Sequence, residues 1–342
     1  MKAAIVEEPG ILKIREVPEP VPDEYDALCE LLYGATCTGT DTHVIRGRFP
    51  FPIAYPAILG HESVGRVVRI GRKVRNFRVG DLITRVTTPP PGDGSVSVAW
   101  GGFAEYGLAK DHWAMHAAGL PDTAWAASRV NQILPASVDA RVAPMFTTWG
   151  ETRSYIRRMG IGRGSRLLVI GSGGNGLSFA AHGVNLGVSC VWIVGSPRWS
   201  SRAARLGVNG LIDYSAADCV EQLRQACPEG FSTIIDAVGK TGQADRFLPL
   251  LEPGGKIGIY GMDDYTSVTI TPRIARGSFT IWNGGYDESE AHQEVCELYL
   301  QGRLDAGIWY DRDHPWPLVE IEHAFRDLWE RREVKILIEL KT

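Results

Sequence analysis

The stretch Arg166–Tyr214 constrains the fold more than any other part of the chain. It reads R-L-L-V-I-G-S-G-G-N-G, then about one helix of residues, then V-W-I-V-G-S-P-R. An apolar, β-branched run ends in Gly171, Gly173 and Gly176 at G-x-G-x-x-G spacing and opens into a helix-like run. In that strand–turn–helix context the pattern is a dinucleotide-binding loop. Its glycines let the backbone turn tightly and approach a pyrophosphate lying on the helix N-terminus, so Gly171, Gly173, Gly174, Asn175 and Gly176 are candidate cofactor contacts.

The second half of the stretch bears on which dinucleotide. An NAD site usually carries Asp or Glu about 20 residues on, at the tip of the next strand, to bond the ribose 2′-hydroxyl. Here the strand Val191–Val194 is followed by Gly195, then Ser196 and Arg198, with Arg202 and Arg205 beyond. Glycine removes both the acceptor and the repulsion that a carboxylate would exert on a phosphate, while hydroxyl and guanidinium supply donors for one. The charge pattern favours NADP(H). The plainer reading is an ordinary βα turn with a solvated arginine.

A chain of 342 residues suggests two domains. Its net charge of -4 gives no reason to expect nucleic acid or an anionic membrane as partner. No secretory signal is apparent at M-K-A-A-I-V-E-E-P-G, and no apolar run reaches the roughly 18 residues of a membrane span. Six cysteines without a C-x-x-C pair point to a reducing, cytoplasmic location rather than a disulfide framework.

Residues 1–147 alternate short β-like runs (Ala3–Val6, Ala27–Tyr33, Val64–Ile70, Asp81–Val86) with Pro/Gly turns, and T-T-P-P-P-G-D-G at Thr87–Gly94 reads as a surface loop. From Thr148 strands and helices alternate, which implies a parallel sheet covered on both faces. A helix over Glu288–Leu300, another over Ile321–Arg331 and a strand at Lys335–Leu340 close the chain. The expected fold is α/β: a β-rich domain over 1–147 followed by a doubly wound parallel domain from Thr148.

L-G-H-E-S-V-G-R-V-V-R-I-G at Leu59–Gly71, V-R-N-F-R-V-G-D-L-I at Val74–Ile83, W-G-G-F-A-E-Y at Trp100–Tyr106 and the glycine loop resemble the medium-chain dehydrogenase/reductase superfamily over nearly the whole chain. Within it the chain looks most like the zinc-type alcohol and polyol dehydrogenases. V-G-S-P-R together with Tyr214 in L-I-D-Y resembles the NADP-dependent secondary alcohol dehydrogenases, whose matching Ser, Arg and Tyr surround the 2′-phosphate. The resemblance implies a GroES-like catalytic domain, 1–147 completed by 290–342, with a Rossmann NADP-binding domain, 148–289, inserted in it. It also implies a homodimer or homotetramer paired through Rossmann strands, and a small alcohol or carbonyl substrate.

Zinc-type members hold a catalytic metal with a Cys, a His and a third protein residue, leaving a position for the substrate oxygen. His61 and Glu62 match the family's G-H-E pair, whose Glu is in relatives either a ligand or a carboxylate just behind the ligands, so Glu62 is a candidate catalytic residue as well as a candidate ligand. The family usually places its Cys three residues before an Asp; in A-T-C-T-G-T-D-T-H that position before Asp41 is Thr38, and Cys37 lies one step earlier. Either the loop carries an extra residue and Cys37 reaches the metal, or the ligand is lost. A further ligand position of relatives aligns with Pro144 or Ala143, neither of which binds metal. The implied zinc ligands are Cys37, His61 and Glu62. Their plainer readings are a core histidine and a small buried thiol.

Thr40 and His43 match the family's proton relay, since a hydroxyl donates and accepts at once and histidine titrates near neutrality; Thr40 could also N-cap a helix that carries a solvated His43. No structural zinc is expected, because Thr87–Gly102 contains no cysteine. Val238 in A-V-G, Gly261 in I-Y-G and Asn283 fit a nicotinamide pocket at strand ends. Trp100, Phe51, Trp149 and Trp282 are candidate pocket walls, although aromatics here are more often core. The leading expectation is an NADP(H)-dependent oxidoreductase interconverting a secondary alcohol, polyol, cyclitol or sugar and its carbonyl. Its rivals are a zinc-independent enone or quinone reductase of the same superfamily and a non-catalytic NADPH-binding protein.

Overall fold

The structure, a computed structural model, describes residues 1–264 and 267–341. Two compact units result: Met1–Thr148 with His292–Leu300 and Asp305–Thr342, and Trp149–Ala291 with Gln301–Leu304.

The first unit is built from β1 (Lys2–Glu8), β2 (Ile11–Glu16), β3 (Asp26–Ala35), α1 (Thr40–Ile45), β4 (Ala57–Ile58), β5 (Ser63–Ile70), β6 (Leu82–Thr84), β7 (Ser97–Val98), β8 (Tyr106–Lys110), α2 (His112–Ala117) and α3 (Asp122–Trp125). The chain continues through α4 (Met145–Met159) into the second unit, with β9 (Arg166–Ile170), α5 (Gly174–Asn185), β10 (Cys190–Gly195), α6 (Ser200–Arg205), β11 (Gly210–Asp213), α7 (Cys219–Ala226), β12 (Phe231–Asp236), α8 (Gln243–Phe247), β13 (Leu251–Ile259) and β14 (Thr280–Trp282). It returns to the first unit with α9 (His292–Leu300), β15 (Trp316–Pro317), α10 (Ile321–Trp329) and β16 (Leu337–Glu339).

Two sheets make the first unit, ordered β2-β1-β4-β7 and β15-β16-β3-β5-β6, with β8 also pairing β3. β1 is buried through Ala3–Val6, and alternation along β3 sends Ala27, Cys29 and Leu31 into the same apolar core with Phe103 and the α10 residues Ile321, Phe325 and Leu328. The register of the second sheet matters most for chemistry. Leu337 of β16 pairs with Ala35 of β3, and Gly34 pairs with Ser63 of β5. The end of β3 and the starts of β5 and β16 therefore lie side by side, and the residues just beyond them (Cys37, His61–Glu62 and Lys335) share one end of the sheet.

In the second unit all pairings are parallel and the order is β11-β10-β9-β12-β13-β14. This is the doubly wound arrangement, with its change of winding direction between β9 and β12, where ligands of such folds bind. Sequence and structure differ in detail. Gly195 is the last residue of β10 rather than the residue after it, and the strand expected at Lys335–Leu340 contracts to Leu337–Glu339 because Lys335 is turned to a buried carboxylate. The helix expected over Glu288–Leu300 begins as a 3₁₀ turn, Glu288–Ala291.

The glycine loop is under steric demand. Gly171 has φ +106, which favours glycine, and a Cβ at Gly176 would sit 2.0 Å from the Gly171 carbonyl oxygen. The first turn of α5 can pack on the end of β9 only if position 176 is bare. Gly176→Ala should therefore cost about 1–3 kcal/mol or more by overpacking. Urea unfolding of the full chain reads this, and unchanged stability would contradict the packing.

Candidate active site

At the shared strand ends of the first unit, one ligand atom each from Cys37, His61 and Glu62 lies within 4.8 Å of the others, and all three side chains are buried. The turn after β3 brings the Cys37 sulfur to His61. Asp41 organises this turn. One carboxylate oxygen accepts the Cys37 backbone N–H at 2.8 Å, and the other lies 3.0 Å from His61 Nδ1. An imidazole held at Nδ1 by a carboxylate presents Nε2 as the free ligand atom, the usual outer partner of a metal-bound histidine. That Nε2 is 3.6 Å from Glu62 Oε1.

The electrostatics are those of a crowded buried site. Burial alone would lower the His61 pKa, but the charge and hydrogen bond of Asp41, with those of Cys37, hold it well above the ordinary histidine value. Lys335 is 1% exposed and donates to both Glu62 oxygens, at 2.5 and 2.7 Å, and to the Thr36 carbonyl at 3.1 Å. Burial opposes its charge, yet Glu62 more than offsets this and raises its pKa. The backbone is pinned as well. Gly60, φ +102, passes where a Cβ would meet the Phe103 backbone N–H nitrogen at 2.6 Å, and Arg85 donates to the His61 carbonyl at 2.7 Å.

A thiolate, an imidazole with its outer carboxylate and a further carboxylate form a donor set suited to zinc. Ligand atoms already within 4.8 Å of one another need only small side-chain movements to share one ion. Pro144 offers no ligand atom, and among the described residues the available set is the three named. Thr40 is the first residue of α1, and Gly39 rather than Thr40 takes the N-cap position. His43 follows one turn on, half-buried rather than solvated. Trp100, at φ +67, sets its ring 5.5 Å from the His61 ring and 5.4 Å from Phe49, which in turn lies 5.8 Å from Phe51. Trp149, by contrast, is fully buried core.

In the second unit the expected cofactor residues gather at the carboxyl ends of the strands. A Cβ on Gly171 would touch Val238 Cγ2 at 2.8 Å, which places the ends of β9 and β12 together where the winding changes direction. Gly173 is the N-cap residue of α5, with open space above it, and Gly174 and Asn175 begin the helix. Gly195 pairs with Asp213, and the Tyr214 N–H donates to the Gly195 carbonyl at 3.1 Å. Ser196 and Arg198 follow in an exposed turn, so Gly195, Ser196, Arg198 and Tyr214 share one corner. Gly261 packs on Val238, where a Cβ would meet the Val238 carbonyl carbon at 2.0 Å, while Asn283 lies exposed just past β14.

Residues 25–122 match the alcohol dehydrogenase GroES-like domain and residues 174–295 match the zinc-binding dehydrogenase family. The chain belongs to the zinc-type alcohol dehydrogenases of the medium-chain dehydrogenase/reductase superfamily. Among similar proteins, L-galactonate-5-dehydrogenase of Escherichia coli K12 is 25% identical, over 98% of this chain and 97% of its own. NADP-dependent isopropanol dehydrogenase of Entamoeba histolytica is 27% identical, over 73% and 70%. The crystal structure of benzyl alcohol dehydrogenase from Acinetobacter calcoaceticus shares the fold, with TM-score 0.82 at 18% identity over 99% of this chain and 98% of that one. The fold of this dehydrogenase is thus GroES-like plus Rossmann. Among the described residues no helix is long and apolar enough to cross a membrane.

Four residues around the dehydrogenase's two sites escaped the sequence reading as positioning groups. Asp41 and Lys335 hold His61 and Glu62. Asp236 is buried, its pKa raised by desolvation, and its carboxylate accepts the Val238 and Gly239 N–H groups at 2.9 Å, which shapes the A-V-G turn. Arg246 donates to the Tyr214 carbonyl at 2.8 Å. Lys335 left one trace, a charge inside the apolar run V-K-I-L-I; Arg246 left none.

Removing Lys335 leaves a buried carboxylate unpaired. Lys335→Met should destabilise by about 3–5 kcal/mol, and Lys335→Met with Glu62→Gln should recover much of that loss. Denaturant unfolding of the four forms measures the coupling, and additive effects would contradict the pairing.

Proposed function

We propose that this alcohol/polyol dehydrogenase uses NADP(H) and one zinc ion held by Cys37, His61 and Glu62 to interconvert an alcohol (secondary alcohol, polyol, cyclitol or sugar) and its carbonyl. The observation that carries the reading is the buried Cys37–His61–Glu62 cluster with Asp41 behind His61. It also favours a metal-dependent enzyme over a zinc-independent enone or quinone reductase, which needs no such donor set, and over a non-catalytic NADPH-binding protein.

When bound, zinc supplies a Lewis acid that lowers the pKa of an alcohol or polarises a carbonyl. The chain's own groups do the rest. Asp41 orients the His61 ring and keeps Nε2 turned to the cluster. Lys335 balances the Glu62 charge, so a cationic ion and a thiolate meet a cluster that is not overloaded with negative charge. Thr40 and His43, on one short helix, carry the substrate hydroxyl proton outward; a bound nicotinamide would supply or accept the hydride. Phe49, Phe51 and Trp100 offer ring faces to the substrate's carbon skeleton, where either an alkyl chain or the C–H face of a sugar can lie.

NADP(H) is inferred from the corner of Gly195, Ser196, Arg198 and Tyr214, which offers a hydroxyl and a guanidinium with no carboxylate at the tip of β10 (the neighbouring Asp213 carboxylate accepts the Ser215 N–H and hydroxyl), and from the cofactor of the isopropanol dehydrogenase relative. Gly171, Gly173, Gly174, Asn175 and Gly176 take the pyrophosphate, and Val238, Gly261 and Asn283 border the nicotinamide. We also infer a homodimer or homotetramer joined at the sheet edge formed by β14, checked by sedimentation mass.

Protein purified without chelator should hold about one zinc per chain. Cys37→Ser should lose most of that zinc together with turnover. Less than about 0.2 zinc per chain, with full activity, would exclude the metal reading. Because Cys37 and His61 must shed protons to bind metal, zinc affinity should rise with pH across the neutral range. Arg198→Ala should weaken NADP about tenfold or more and leave NAD within about twofold, by loss of one charge-assisted contact. Fluorescence titration of both nucleotides decides this.

A further inference from the structure

Two thiols of the second unit meet away from the nucleotide end of its sheet. Cys190 is the first residue of β10, and Cys227 is the residue that closes α7. Both therefore lie at the amino ends of the strands, opposite the carboxyl ends that carry the glycine loop. Cys190 pairs with Arg166 in the parallel ladder of β10 and β9, which turns the two side chains to one face of the sheet. Arg166 Nε donates to the Gly230 carbonyl at 2.6 Å, and the Cys227 thiol donates to the same oxygen at 3.2 Å. Cys190 packs on the apolar core of which Cys227 is part, and the two thiols hydrogen-bond to each other. Cys227 is 7% exposed, whereas Cys190 is only half-buried, so one sulfur of the pair can be reached from solvent.

We propose that Cys190 and Cys227 form a reversible disulfide site, closed by exchange with a small-molecule disulfide such as oxidised glutathione, and that the closed form braces the stretch from β10 to α7. Cys190, the accessible sulfur, reacts first. As thiolate it attacks one sulfur of the small disulfide; that S–S bond breaks, and the departing thiolate takes up the proton that Cys190 gave up. The Cys227 sulfur then attacks the Cys190 sulfur of the mixed disulfide, and the second small thiol leaves with the Cys227 proton. Two protein thiols are oxidised, one small disulfide is reduced to two thiols, and no other oxidant is needed. Dithiols of this kind stay open in a reducing compartment and close only as its disulfide content rises.

The surroundings make closure slow. Burial, and after it Cys227, push the Cys190 thiol up to about 12, while Arg166 pulls the other way. Arg166 is itself engaged by Glu229 at 3.2 Å and by Glu252. Little thiolate is present at neutral pH, so closure takes sustained exposure to the disulfide and quickens as pH rises. Once made, the bond closes a loop that holds β10, α6, β11 and α7. Such a cross-link stabilises chiefly by restricting the unfolded chain. It lies at the far end of the sheet from the glycine loop, and Cys37 belongs to the other unit, so stability should change and the chemistry should not.

The test uses the full chain, purified without chelator and incubated with millimolar oxidised glutathione in mildly alkaline buffer. Free thiols are then blocked, the protein is digested without reduction, and cross-linked peptides are mapped by mass. One cross-link is expected, joining Cys190 to Cys227. Tm should rise by about 5–10 °C, and dithiothreitol should reverse both changes. Zinc content and turnover should be unchanged. Cys227→Ser should stop at one glutathione held on Cys190, with no gain in Tm. Cys190→Ser, at a half-buried position, should show neither cross-link nor gain in Tm, and it keeps the comparison if the buried substitution impairs folding. Absence of the Cys190–Cys227 cross-link in the wild type, a wild-type chain that halts at the mixed disulfide, or a cross-link that leaves Tm unchanged overturns the inference. Loss of zinc and turnover without that cross-link overturns it too, and marks Cys37 as the thiol that oxidises.

Discussion

The buried pair of Glu62 and Lys335, 273 residues apart in sequence, is the contact on which the catalytic half of the molecule depends. It joins the turn before β5 to the turn before β16, and the Lys335 bond to the Thr36 carbonyl adds the end of β3. Three strand ends are thereby clamped around one charge pair. A buried ion pair of this kind is weak evidence for net stability, since desolvation offsets most of its attraction. Its value is positional: with both Glu62 oxygens engaged by one ammonium, the carboxylate has one orientation, and His61 beside it inherits a fixed backbone. Asp41 then completes the arrangement from the other side by holding the imidazole and the Cys37 turn with its two oxygens.

The nucleotide half follows a different logic, in which the absence of side chains does the shaping. Gly176 must be bare for α5 to approach the end of β9, Gly261 must be bare to let Val238 pass, and a Cβ on Gly195 would press on Ser172. The first two serve packing of a kind expected wherever helices and strand-end turns meet closely. The third ties the glycine loop to the tip of β10, where Ser172 Oγ accepts the Ser196 N–H.

Much of this was legible in the sequence, for identifiable reasons. G-x-G-x-x-G between an apolar strand and a helix is a local pattern, because the loop, the strand and the helix are contiguous. The corner of Gly195, Ser196 and Arg198 was legible too, lying one βα unit away along the chain. The residues that were not legible sit far from their partners. Lys335 meets Glu62 across most of the chain, Arg246 reaches Tyr214 from another helix, and Asp236 acts through backbone N–H groups that any sequence possesses. Thr40 was open to being read as an N-cap, but the backbone assigns that place to Gly39, since capping is decided by dihedral angles as well as by side-chain chemistry.

The sequence by itself determined the family, the two-part α/β architecture and the residue types available for a metal and for a phosphate, because those are properties of local pattern and of composition at motif positions. Only the tertiary structure decided whether Cys37, one residue out of the family's register, could join His61 and Glu62. It also decided what neutralises Glu62. Each of these is a matter of a few ångströms between atoms that the strand register brings together, and register is set by the packing of whole sheets rather than by any one motif.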